Sequence, residues 1–185
     1  MPRIRPITPS EAQGKLKELY GGIEKKMGKV LNIFQNMGNS AITLQGFLNL
    51  SEAANQTSLS PQLREQISLA VGEVNRCEYC LSAHTALAKK AGMQEDVIAR
   101  ARHGESLDQK ENAILHFAKS MVEKRGQVTD QEVASLKKAG VSDGELVDII
   151  LVVMVNLFTN YFNLITNPTI DFPSVIPFSE TTASL

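Results

Sequence analysis

The sequence predicts an all-α protein: a single-domain helical bundle over residues 1–185, with a Cys-x-x-Cys pair at the N-terminus of a core helix. Three observations carry this. Capping boxes of the form Ser/Thr-x-x-Glu stand at Thr8–Glu11, Thr129–Glu132 and Ser142–Glu145, and each can satisfy the free amides of a helix start. Glycines recur where helices would stop, at Gly28, Gly92, Gly104, Gly126 and Gly140. Between these signals, apolar residues return at three- and four-residue spacing. Only short strings such as Ile150–Val155 are locally ambiguous.

The elements follow in order. Residues 1–8, with Pro2 and Pro6, read as an extended arm. A helix is expected from Pro9, with Leu16, Leu19, Tyr20 and Ile23 on one face, fading near Met27 and Gly28. Val30 to Met37 reads as a short apolar turn or helix. Ser40 opens both the next helix and the core, 40–165, with Ile42, Leu44, Phe47, Leu48 and Leu50 as core candidates. After a polar connection, Ser60-Pro61 is an N-cap followed by proline at the first helical position. Leu63, Ile67, Ala70, Val71 and Val74 then recur at helical spacing. Asn75-Arg76 reads as a break, and a second helix runs from about Glu78 to Lys90, stopped by Gly92. Glu95 to His103 is a short helix, and Ser106 can cap a longer one carrying Ile114 to Val122. Thr129 and Ser142 open two more, the second being the most apolar stretch, Leu146 to about Ile165. The tail, 167–185, has three prolines and reads as a strap or a partly disordered segment.

Composition narrows the function. A formal net charge of −1 offers no basic field for nucleic acid. Two cysteines at this spacing form no secreted disulfide framework and point to redox or metal chemistry in a reducing compartment. The N-terminus lacks an apolar core and a cleavage site, so the cytoplasm is the expected location. Asn156, Asn160 and Asn163 make one polar stripe on the 146–165 helix. Such a stripe is costly in lipid, so a core helix at a pocket wall or subunit contact is expected rather than a membrane span.

The chemistry concentrates in EQISLAVGEVNRCEYCLSAH, from Glu65 to His84. Cys80 and His84 are i and i+4 and share a helix face. Cys77 sits at the helix start, where free amides and the helix dipole favour a thiolate. Arg76 adds to this if its side chain points that way. An acid on the preceding helix, Glu65 or Glu73, can relay protons, and periodicity does not choose between them. His103 and His116 are isolated and read as structural. The cysteine pair has three readings: a redox dithiol, a zinc site with His84 as third ligand, or two inert core residues. A structural zinc site wants four ligands, and no second pair exists.

At these residues the chain resembles the alkyl hydroperoxidase D-like branch of the carboxymuconolactone decarboxylase superfamily. The motif is a glutamate, an intervening segment and Cys-x-x-Cys-x-x-x-His, here Glu65, Cys77, Cys80 and His84. The resemblance implies a thiol peroxidase without metal or haem, assembled as a homo-trimer or homo-hexamer. Its partners would be a peroxide and a dithiol or protein reductant, with no nucleic acid or membrane. Cys80 would attack the peroxide, Cys77 would close the disulfide Cys77–Cys80, and His84 with Glu65 would relay protons. Some relatives carry a histidine between the cysteines; Tyr79 stands there in this chain. The residues alone do not decide which cysteine attacks. Two further readings remain: a lactone decarboxylase using His84 and Glu65 as acid and base, and a redox-sensing oligomer without turnover.

Overall fold

The computed structural model describes residues 2–178, which form nine helices and no strand. The helices are α1 (Gly14–Met27), α2 (Asn32–Met37), α3 (Ala41–Asn55), α4 (Pro61–Val74), α5 (Glu78–Lys90), α6 (Glu95–His103), α7 (Gln109–Glu123), α8 (Asp130–Lys138) and α9 (Asp143–Thr166). The fold is the all-α bundle expected. α4 is its centre: it is buried along most of its length and packs against α5, α6, α7 and α9. Ile67, Ile114, Leu115, Ile149 and Val153 fill the core between α4, α7 and α9. A second cluster joins Tyr20, Phe34, Met37 and Leu44 to the two cysteines. A third packs Leu69 and Leu81 against α6.

Local chemistry explains most boundaries. Ser40, Ser60, Thr129 and Ser142 cap their helices as expected, and the last two close full capping boxes. The box at Thr8 does not open a helix. Glu11 accepts from the Thr8 amide at 2.9 Å, but only a turn forms, and α1 begins at Gly14 with φ of +50°. That left-handed residue redirects the chain before the helix can propagate. The start of α7 also shifts: Asp108, not Ser106, accepts from the third amide of the helix, while Ser106 Oγ donates to Glu111. Ile42 and Leu50, expected in the core, are exposed, whereas Leu44 is fully buried. One close approach demands glycine. A Cβ on Gly38 would lie 2.0 Å from the Tyr20 hydroxyl, which donates to the carbonyls of Ile7 and Phe34.

α9 is long and apolar enough to cross a membrane by length and composition. In the fold its asparagine stripe is buried, as expected of a core helix. The opposite face is bare, with Val147, Ile150, Met154, Tyr161 and Ile165 exposed. The tail runs from Asn167 to Phe178 without regular structure until its end and crosses the second core cluster. The rest of the expected strap, 179–185, lies outside the described residues.

Candidate dithiol active site

The turn from α4 to α5 builds the dithiol. Asn75 caps α4, and Arg76 takes φ of 53°. The Arg76 amide donates to Glu73 O, and the Cys77 amide to Gly72 O. This is the paired closure of a Schellman motif, with arginine where glycine is usual. Its geometry hands the chain to α5 with Cys77 as N-cap. Cys77 Sγ accepts from the Cys80 amide at 3.3 Å, so the amide at the helix start faces sulfur. The two sulfurs are joined as a disulfide, with Cα atoms 5.2 Å apart. Cys77 is 1% exposed and Cys80 3%. The sulfurs are therefore beneath the surface.

One turn further along α5 the site opens. His84 Nδ1 lies 2.8 Å from Glu65 Oε2, across from α4, and both side chains keep 21% of their surface exposed. Together they line a cleft of about 350 Å³, walled by Phe47, Leu87, Val152 and Val155. Arg64 and Lys90 are at its edge, and neither cysteine lines it. The acid that faces the histidine is thus Glu65. Glu73 is turned elsewhere: it pairs with Arg102 at 2.8 Å and accepts from the Phe178 amide at 2.6 Å.

Glu73 holds the tail, and so do both residues between the cysteines. The Tyr79 hydroxyl donates to Asp171 Oδ2 at 2.5 Å. Burial first, then that carboxylate, raises the Tyr79 pKa above its ordinary value, so the phenol remains a donor. Asp171 also accepts from the Asn32 amide at 2.9 Å. Ser174 Oγ donates to Glu78 at 2.6 Å, and the Val175 amide donates to Ser82 Oγ at 2.9 Å. Phe178 is stacked on His103 and lies under the Arg102 guanidinium. Tyr79 therefore anchors a strap over the cysteine loop. Asp171 carries no signal in the sequence beyond its place in a proline-rich tail.

The asparagines of α9 complete the buried side. Asn156 donates to Ser68 Oγ at 3.0 Å, and Asn75 donates to Asn160 Oδ1 at 2.9 Å. Asn163 Nδ2 lies 3.3 Å from Cys80 Sγ. The stripe was visible in the sequence, but its register against the sulfur was not. Among the described residues, no group of three or more His, Cys, Asp or Glu side chains is arranged to hold a metal.

Residues 43–120 match the model of the carboxymuconolactone decarboxylase family. No protein of curated function matches in sequence. Solved structures share the fold. An uncharacterized peroxidase-related protein from Ralstonia eutropha, described as an alkylhydroperoxidase AhpD core, superposes with a TM-score of 0.81 at 18% identity, covering 93% of this chain and 92% of that one. A peroxidase-related protein from Silicibacter sp. gives 0.76 at 22% identity, covering 84% and 85%. The debrominase Bmp8, in complex with 2,3,4-tribromopyrrole, gives 0.79 at 18% identity, covering 92% and 94%. The match over residues 43–120 makes that segment similar to the carboxymuconolactone decarboxylase family, and the solved structures show that the whole chain shares the all-α fold of the alkylhydroperoxidase AhpD core.

Proposed function

We propose that the protein is a thiol-dependent peroxidase that cycles Cys77 and Cys80 between dithiol and disulfide. The observation that carries this reading is the joined sulfur pair on the same helix as an imidazole already paired with a carboxylate. In the reduced enzyme, the Cys80 thiolate attacks the terminal oxygen of a hydroperoxide. An S–O bond forms, the O–O bond breaks, and the alcohol leaves with a proton supplied from His84, directly or through water. Glu65 holds the imidazole in orientation and stabilises its charged form. Cys77 then attacks the sulfenic acid sulfur, the disulfide forms and water leaves. A dithiol or protein reductant returns two electrons and two protons. Such reductants place the cycle in a reducing cytoplasm.

The cleft is the entry for an organic peroxide. Its apolar walls suit a hydrocarbon group, and Arg64 and Lys90 suit an anionic end. The bare face of α9 is the contact for further copies of the chain, in the trimer or hexamer that the family resemblance implies. The reaction is tested by peroxide consumption with a dithiol reductant in wild type, Cys80→Ser and Cys77→Ser. Turnover that survives unchanged in both variants removes the reading.

One observation favours a second reading. His84 and Glu65 line the cleft while the sulfurs do not, so the pair could act as acid and base on a carboxylated lactone. That reading expects both serine variants to retain lactone turnover.

A further inference from the structure

The two sulfurs sit in different surroundings, and each receives one hydrogen-bond donor. Cys77 Sγ receives the Cys80 backbone amide, at the start of α5. Cys80 Sγ receives the side-chain amide of Asn163 from α9, at 3.3 Å. Asn163 is 4% exposed, so this contact is shielded from water. An amide oxygen in the same place would meet sulfur lone pairs, so the amino end is the one that faces Sγ. Its Oδ1 has no hydrogen-bond partner among the described residues. A buried amide that leaves its own oxygen unpaired while its nitrogen faces sulfur is costly as a packing device. A contact that matters more in another redox state accounts for that cost.

When the disulfide opens, two thiols at this distance cannot both ionise easily. The helix start favours charge on Cys77. We infer that Asn163 is a catalytic residue that donates to the Cys80 thiolate and thereby makes Cys80 the attacking sulfur. This rests on the peroxidase reading above. A disulfide sulfur is a weak acceptor and a thiolate a strong one, so the bond strengthens on reduction. It also keeps the amide beside the sulfur at which the S–O bond would form. The titratable groups around the pair are Tyr79, packed in the same cluster and bonded to Asp171 of the strap, and the chain neighbours Arg76, which is exposed, and Glu78, which accepts from Ser174. His84, paired with Glu65, follows one turn beyond Cys80 and lines the cleft, which neither sulfur does. A substitution at Asn163 alters none of them.

The test titrates each cysteine alone by its ultraviolet thiolate absorbance, in Cys77→Ser and Cys80→Ser backgrounds, with and without Asn163→Leu. Leucine is close to asparagine in shape and leaves no unpaired oxygen. The expected result is a rise of about one pKa unit for Cys80, a tenfold loss of thiolate, with Cys77 unmoved. Asn163→Asp should raise Cys80 further, because it sets a carboxylate beside the thiolate. An unchanged Cys80 titration in the folded leucine variant overturns the inference. A leucine variant that no longer folds does so too, since Asn163 would then be a packing residue. Absence of peroxide turnover in wild type sinks the peroxidase reading instead, and the titration still reports on Asn163.

Discussion

The two ends of the site differ in access. At one end Cys77 and Cys80 are almost wholly buried, and the tail is fastened over the residues between them. At the other, His84 and Glu65 face an open cleft. The same helix, α5, carries both. A group that must hold a thiolate gains from exclusion of water, because each donor to it counts for more in a low dielectric. A group that passes protons needs a route to solvent. The difference shows how one helix start and the turn that follows it can serve two electrostatic needs a few residues apart. On the peroxidase reading it also sets two separate tasks, entry of peroxide from the cleft and reduction of a covered disulfide.

Substitutions at the open end should give the largest effects on turnover alone. Glu65→Gln and His84→Ala are expected to lower peroxide turnover by roughly a hundredfold or more, the usual scale for losing positioned proton transfer. Reduction of the disulfide by a small dithiol should change little, because neither side chain covers the sulfurs. Equal loss in both assays would erase the distinction between the ends.

The closed end should respond in the opposite sense. Asp171→Ala removes the acceptor shared by Tyr79 and the Asn32 amide. Disulfide reduction by a protein reductant is expected to accelerate several-fold, as loosening a few hydrogen bonds of about 1 kcal/mol each would give. An unchanged reduction rate would mean that the reductant does not approach beneath the tail. The same contact sets a pH dependence. The folded-state pKa of Tyr79 is raised above its ordinary 10.0. Its stabilisation is therefore complete below about pH 10 and is lost as pH climbs toward the folded value. Melting of the oxidised protein should fall above pH 10, and Tyr79→Phe should flatten that fall.

The open end was the more legible of the two. Glu65 and His84 lie on two successive helices joined by a short break, so a local helix–turn–helix reading brings them to one region. Choosing Glu65 over Glu73 needed the family motif, because both acids sit on the same helix and only packing against α6 and the tail turns Glu73 toward Arg102. The closed end depends on contacts distant in the chain. Tyr79 meets Asp171 and Cys80 meets Asn163 across 92 and 83 positions. No local periodicity encodes such pairs. The boundary errors have the same origin. The Thr8 box satisfied every local rule for a helix start, yet Gly14 turned the chain. Ile42 had a core residue's chemistry on a face that the bundle leaves uncovered.

The smallest effect is expected at the hinge between the two ends. Arg76 adopts a left-handed conformation with φ of 53°, and its side chain is exposed. A Cβ in that region costs about 1–2 kcal/mol, while glycine there gives back up to about 1 kcal/mol through the greater freedom of the unfolded chain. Arg76→Gly should therefore raise stability by about 0.5–1 kcal/mol, read as a higher urea midpoint with an unchanged slope. The guanidinium adds a second prediction. If it helps hold negative charge on Cys77, Arg76→Gly will raise that thiol's pKa, and Arg76→Lys will not. Stability gained without any change in thiol titration would show the arginine to be a strained turn residue only. In that case the helix start and its amide supply the field at Cys77 without it.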